Sequence, residues 1–368
     1  MSKKTIVMTG GGTGWHVFPI RSLLETLFKY EDYLDQTEKI YRFGSSHSLE
    51  EQTAKEFWSK ITFQSILSGK FRRQKHRKAY LQNIGDAFLF CCGFFQSLFF
   101  LWKYHVDSIF CKGGYVALPV VLAGKLLRKK ILVHESDVHP GLVNTIASKF
   151  ATTTFTGFDN VLPGAITVGQ ILSDDIMPST KAGFSPDFQK ILDSINEEKS
   201  SLFVMGGSQG SKILYETFAQ VLEKSPEIAK NYNIFITLGK LNENLKPLFL
   251  KHQVQVFDFL SQKEMGAIYQ ISDLCLARGG TTSLAEQKLF NIKSIIVPIP
   301  RTHDQKDNGK RYVEHFEDIL LDQKSETFLS DMKKTLLDHI NYKKPKVTAD
   351  IFSEIQKAKM LIRKEILK

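Results

Sequence analysis

The 368-residue sequence is poor in cysteine, with only Cys91, Cys92, Cys111 and Cys275. None forms C-x-x-C and none pairs with histidine at zinc-finger spacing, which suits reduced thiols in the cytosol better than disulfides or a zinc site. A signal-peptide core is also missing. MSKKTIVMTGG runs from a few charges straight into a strand, so secretion is not expected. Low-complexity segments are absent, and 42% apolar with 24% charged residues argues against a disordered or fibrous chain. The longest apolar run, residues 87–102, falls short of the roughly 20 residues of a spanning helix. Neither G-x-x-x-x-G-K-[ST] nor G-x-G-x-x-G occurs, which weakens P-loop and dehydrogenase readings.

What is present is length, positive charge and a repeated pattern. A chain of 368 residues exceeds one hydrophobic core, so two domains are expected. The net charge of +10 points to an anionic partner: nucleic acid, acidic lipid headgroups or a phosphorylated substrate. Strand-like runs at 5–9, 40–43, 61–66, 108–111, 131–134 and 152–155 alternate with helical segments, as do runs at 201–205, 233–237, 253–257, 274–277 and 294–298. This is the pattern of parallel sheets with crossover helices. We expect an N-terminal domain over 1–168, a linker region over 169–200 and a second domain over 201–345. Residues 346–368 form a helix expected to pack back on the first domain.

Each half opens with a strand, a glycine-rich turn and a helix. The turns are Gly10-Gly11-Gly12-Thr13-Gly14 and Gly206-Gly207-Ser208-Gln209-Gly210. Glycine lets the backbone approach a phosphate and adopt positive φ, and the following helix aims free N–H groups at that anion. The dipole contributes only ~0.3–1 kcal/mol, so several N–H bonds must act together. One such turn is equally a tight strand-to-helix connection; two in matching positions fit a pair of phosphate sites. His16 follows the first turn, either as a packing residue or, beside a phosphate, as a general base that titrates near neutrality. Arg278-Gly279-Gly280 leads after another strand into Thr281, Thr282, Ser283, Leu284, Ala285 and Glu286. The hydroxyls suit phosphate oxygens and the carboxylate suits the two hydroxyls of a ribose; a Thr/Ser cap with a first-turn glutamate is the plain alternative. His134-Glu135-Ser136-Asp137-Val138-His139 lacks H-E-x-x-H spacing and starts on a strand, so no metal is expected there.

The basic run KFRRQKHRK (70–78) precedes the apolar run AFLFCCGFFQSLFFLW (87–102). On a helix running through the latter, Gln82, Asp86, Gly93 and Ser97 make a narrow weakly polar stripe. Two readings stand: a helix buried on two sides, or one dipping into a membrane interface. For the basic run the readings are solvated surface or headgroup contact, at up to ~1 kcal/mol per basic residue. Neither a nucleic-acid module nor an interleaved aromatic platform is recognisable, so nucleic acid is not expected as a partner.

TGGGTGWHVFP (9–19), SGKFRR (68–73), KGGYVALPVV (112–121), HESDVHPGLVN (134–144), MGGSQGSK (205–212), RGGTTSLAE (278–286) and HDQKDNG (303–309) occur in this order. Together they resemble the MurG family, bacterial transferases that make lipid II from lipid I. The resemblance implies an α/β protein of GT-B architecture, two Rossmann-like parallel-sheet domains facing across a cleft, with the acceptor site in the first and the UDP-GlcNAc site mainly in the second. By position it implies donor contacts from Thr13, Gly14, Trp15 and Asn144. Ser208 would hold the diphosphate, Leu260 would lie against uracil, residues 281–286 would cover phosphate and ribose, and Gln305, with Asp304 beside it, would reach the GlcNAc hydroxyls. His16 would act as base or serve the acceptor pyrophosphate. Trp15 stands where the family usually has glycine, and Ser173 where an arginine donor-phosphate contact is often placed; Gly279 and Thr281 also depart from the commoner residues. The implied partners are UDP-GlcNAc, the undecaprenyl-pyrophosphate-linked acceptor lipid I, the anionic inner-membrane surface and cell-wall synthesis proteins. No cofactor is implied, and the location is peripheral on the cytoplasmic face of the cell membrane. A diacylglycerol glycosyltransferase and a non-catalytic nucleotide-sugar-binding scaffold are the rival readings.

Overall fold

Apolar runs bounded by glycine and charged turns become parallel strands, whose burial on both faces calls for near-continuous Val, Ile, Leu and Phe. In the computed structural model the described residues are 3–30, 32–70, 77–177, 183–207, 209–239, 241–300, 302 and 304–368, the side chains of 77–81 excepted. They divide into two units, Met1–Ser173 with Ile355–Lys368, and Asp174–Glu354.

The first unit carries β1 (Lys4–Thr9), β2 (Thr37–Gly44), β3 (Ile61–Ser65), β4 (Ser108–Cys111), β5 (Lys130–Glu135), β6 (Thr153–Thr156) and β7 (Ile166–Thr167). They form one sheet in the order β3-β2-β1-β4-β5-β6-β7, parallel throughout. One face packs Ile6, Met8, Phe110 and Leu132 against Ile20, Leu23, Leu24 and Leu27 of helix Gly14–Lys29. The same cluster takes Ile355's neighbours Ala358, Ile362 and Ile366 from the last helix, Ile351–Leu367. The i, i+4 and i+8 spacing of these three puts them on one helix face. The other sheet face packs Val7, Ile109, Ile131 and Val133 against Val120, Val121 and Leu101.

Helix Arg77–Lys103 inverts the usual amphipathic rule. The later half of its weakly polar stripe points inward: Gly93 and Ser97 are buried beside the partly buried Phe94 and Leu98. Asp86 is half-buried and Gln82 exposed, while Ile84, Phe88, Phe95, Phe99 and Trp102 are exposed. Close approach explains this. A Cβ on Gly93 would lie 1.8 Å from the Leu67 carbonyl oxygen, Leu67 N–H donates to Gln96 Oε1 at 2.9 Å, and Lys70 N–H donates to Asp86 Oδ1 at 3.2 Å. Burial on two sides is therefore overturned. The apolar part, Gln82–Lys103, is 22 residues and is long and apolar enough to cross a bilayer, which also corrects the shorter expectation from 87–102.

The second unit carries β8 (Ser200–Met205), β9 (Tyr232–Thr237), β10 (Val254–Phe257), β11 (Leu274–Ala277), β12 (Lys293–Ile296) and β13 (Ile319–Leu320). Their order is β10-β9-β8-β11-β12-β13, again all parallel. Helix Lys212–Lys224 buries Leu214, Phe218, Val221 and Leu222 against the sheet's Leu202, Val204, Ile234 and Ile236. Within residues 169–200, the turn Asp174–Ile176 and helix Pro186–Asp193 belong to this unit. Ile176 is fully buried, and a Cβ on Gly266 would meet its carbonyl oxygen at 2.2 Å.

Candidate functional site

In each sheet the strand order reverses between the first and fourth strands, β1 and β4 in one unit, β8 and β11 in the other. Ligands of open parallel sheets bind outside the carboxyl ends of the strands at such a switch point. Both glycine turns, Lys112-Gly113-Gly114 and Arg278-Gly279-Gly280 follow these four strands.

In the first unit the two turns interlock. Gly11 N–H donates to the Gly113 carbonyl at 3.2 Å, and Gly12, at φ 88°, lies under the Tyr115 ring. Arg42 is buried, and its guanidinium donates to the carbonyls of Met8 at 3.1 Å, Phe43 at 2.8 Å and Gly10. Burial lowers its pKa to about 10, against the pull of Glu50. Gly12 N–H donates to Glu50 Oε1 at 2.6 Å, so the amides of Gly11 and Gly12 are committed within the unit. Gly14 and Trp15 open the helix, where backbone N–H groups have no intrahelical acceptor. His16 is half-buried there, with Nδ1 2.9 Å from Thr13 Oγ1. Burial, then Lys112 and Arg42, lower its pKa to about 3, opposed by a backbone hydrogen bond with Gly11. The ring is neutral at physiological pH. Lys112 is itself buried, with Nζ 2.8 Å from Ser136 Oγ, and burial lowers its pKa.

In the second unit Gly206 N–H donates to the Tyr215 hydroxyl at 2.9 Å, which donates onward to the Thr237 carbonyl at 2.7 Å. Burial pushes that phenol's pKa up to about 12. Arg278 is buried, donating to the Val297 carbonyl at 2.9 Å, Gln323 Oε1 at 2.6 Å and Ser211 Oγ. Helix Thr281–Leu289 starts after Gly280 without a side-chain cap. Its first N–H groups and the half-buried Thr282 and Ser283 form a cluster of donors at the end of β11.

Several expected contact residues turn inward. Asn144 is 3% exposed and donates to Glu135 Oε2 at 2.9 Å and the His134 carbonyl at 3.2 Å, fastening the turn after β5. Leu260 is 6% exposed while its neighbour Phe259 is 67% exposed. The side chains of Thr281 and Leu284 are buried, and Ala285 is half-buried. Glu286 is buried with Tyr269 donating to Oε2 at 3.5 Å, and burial raises its pKa to about 8, so its carboxyl is protonated at neutral pH. Gln305 is buried, its Oε1 accepting from Ile299 N–H at 3.0 Å, at the start of helix Gln305–Phe316. Trp15 is 48% exposed and Ser173 half-buried. Ser208, His303 and residues 71–76 of the basic run lie outside the described residues. Sequence reasoning missed Arg42, Glu50 and Tyr215; each carries a signal only once the turns they touch are known. Among the described residues no group of three or more His, Cys, Asp or Glu side chains could hold a metal ion.

Two parallel-sheet units in the same strand order, each with glycine turns at its switch point, make the GT-B fold expected from the sequence. The chain belongs to glycosyltransferase family 28: the N-terminal domain of that family matches residues 6–156 and the C-terminal domain residues 201–363. A relative from Streptococcus mutans is 31% identical over 97% of this chain and 94% of its own length. One from Streptococcus thermophilus is 32% identical over 83% of this chain and 80% of its own. Both are named UDP-N-acetylglucosamine--N-acetylmuramyl-(pentapeptide) pyrophosphoryl-undecaprenol N-acetylglucosamine transferase. The crystal structure of Acinetobacter baumannii MurG covers 99% of both chains at a TM-score of 0.72 and 19% identity, a likeness of fold. A UDP-GlcNAc 2-epimerase from Neisseria meningitidis, bound to UDP-GlcNAc, shares the fold at a TM-score of 0.60 and 13% identity, over 100% of this chain and 99% of its own. The chain is a glycosyltransferase.

Proposed function

We propose that this chain transfers GlcNAc from UDP-GlcNAc to the muramyl 4-hydroxyl of undecaprenyl-pyrophosphoryl-MurNAc-pentapeptide, lipid I, and so makes lipid II. The observation that carries the reading is 31% identity over 97% of the chain to a relative of that name. The reaction is inverting. The acceptor oxygen attacks the anomeric carbon from the face opposite UDP, the bond from that carbon to the diphosphate oxygen breaks, and the hydroxyl proton passes to a base. Ser208, Thr282, Ser283 and the first amides of helix Thr281–Leu289 stabilise the charge that collects on departing UDP. The exposed Phe259 lies on the base side, while the buried Glu286 and Gln305 act from within the unit, behind the helix starts that meet the ribose and the sugar.

We assign Gly14 and Trp15, donor contacts by the resemblance, with His16 to the acceptor side, because all three open the helix at the switch point of the first unit. With its pKa lowered to about 3, His16 holds the unprotonated form a base needs but binds a proton weakly. An anionic diphosphate beside the ring offsets Lys112 and Arg42 and moves that pKa back toward the working range. The enzyme works at the cytoplasmic face of the membrane, where the exposed Phe88, Phe95, Phe99 and Trp102 support interfacial docking.

The test is incorporation of labelled GlcNAc from UDP-GlcNAc into a purified lipid I analogue, with UDP-glucose and UDP-GalNAc as controls. Labelled disaccharide-lipid is the expected product; label in diacylglycerol, or none, ends the proposal. Replacing Phe88, Phe95 and Trp102 by serine is expected to abolish cosedimentation with anionic vesicles while sparing turnover on a short-chain soluble acceptor.

A further inference from the structure

A buried carboxylate stands inside the first glycine turn. Glu50 belongs to the first turn of helix Leu49–Lys55 and is 2% exposed. Its Oε1 accepts the Gly12 N–H at 2.6 Å. Two glycines make room for it: a Cβ on Gly11 would lie 1.7 Å from that oxygen, and one on Gly44 would lie 2.8 Å from Glu50 Cβ. Arg42 answers its charge and holds the Gly10 carbonyl. A carboxylate buried at this depth is costly unless paired and hydrogen-bonded, and an apolar side chain of similar volume would fill the space without that cost. The charge and the acceptor therefore point to a task beyond packing.

We propose that Glu50 is a positioning residue for the transfer reaction: it holds the Gly12 amide from within the unit and so sets the turn that presents Gly14, Trp15 and His16 to the acceptor. Because Glu50 already takes the Gly12 N–H, that donor is spent within the unit, and an incoming anion seats one step along, at the free amides that start the helix. Arg42 and Glu50 thus bracket the turn at its two ends. The consequence for the acceptor rests on the function proposed above; the geometry of the turn does not.

The test compares Glu50→Gln, Glu50→Asp and Glu50→Ala in the full chain. Glutamine keeps an oxygen for Gly12, whereas aspartate keeps the charge but withdraws the oxygen by about 1.5 Å. We expect Ala and Asp to lower kcat/KM for the lipid I analogue by ~10–100-fold with the KM for UDP-GlcNAc within about twofold, and Gln to restore the rate to within about threefold. Hydrogen exchange in the peptide spanning 9–19, measured without substrate, is expected to speed up in Asp and Ala and not in Gln. The exchange result stands even if the parent transfers nothing to lipid I. Parental acceptor kinetics in Asp, tighter acceptor binding in Ala, equal loss for donor and acceptor, or a Gln variant as impaired as Asp each overturns the proposal. If Ala does not fold, the Asp and Gln pair decides.

Discussion

The two glycine turns sit at the same place in the same topology and are held in different ways. Each has a buried arginine beneath it, Arg42 in the first unit and Arg278 in the second. In the first, however, a turn amide is taken by the Glu50 carboxylate, and in the second by the neutral hydroxyl of Tyr215. Topology fixes where an anion is welcome; the side chain wedged behind the turn decides how deeply it seats. In the proposed reaction, a turn whose amide is spent on a carboxylate suits a diphosphate that binds at its edge, and one closed by a phenol suits a nucleotide.

The comparison breaks most visibly by adding a methyl group to each turn. Gly11→Ala must displace the buried carboxylate and strip the Gly12 amide of its partner, and we expect ~2–5 kcal/mol lost in urea denaturation. In Gly207→Ala the new Cβ meets nothing within 4 Å, and only the φ of 86° resists it, at ~1–2 kcal/mol. Equal losses would mean the turns are held alike. A smaller effect is expected for Tyr215→Phe, which leaves the Gly206 donor and the Thr237 acceptor unpaired at ~1–3 kcal/mol. Its KM for UDP-GlcNAc should rise while that for the acceptor stays put.

The finest distinction is in pH. His16 is held neutral, with its pKa lowered from 6.5 to about 3, so the unfolded chain takes up a proton that the native state refuses. Its stabilisation is present above pH 6.5 and is lost as pH falls toward 3. Glu286 is raised from 4.5 to about 8, so the native state keeps a proton that the unfolded chain releases, and stability falls as pH rises through that window. We expect His16→Asn to flatten the acid limb, followed by emission of Trp15, Trp58 and Trp102, which all lie in the first unit. Glu286→Gln should flatten the alkaline limb, followed by calorimetry.

Most strands were legible to within a residue or two, because parallel strands buried on both faces read as unbroken apolar runs. The two-residue strands Ile166–Thr167 and Ile319–Leu320 were not, since two residues carry no period. Helix Arg77–Lys103 was legible in composition but not in orientation; hydrophobic periodicity cannot show that Gly93 meets a backbone carbonyl. The same limit governs the site. The chemistry of Asn144 and Glu286 is written in their side chains, but burial among Glu135, His134 and Tyr269 is a property of the packed unit. Glu50 reads as an ordinary first-turn glutamate until the turn it enters is in view.

The return of helix Ile351–Leu367 to the first unit has a consequence for how the chain is made. Synthesis proceeds from the amino end, and domains generally fold as they emerge. Here the core cluster of the opening sheet is incomplete until Ala358, Ile362 and Ile366 join it, so the later unit closes its own core before the earlier one can. A nascent chain stalled shortly before its end would present an uncovered apolar trough, a ready substrate for chaperones and proteases.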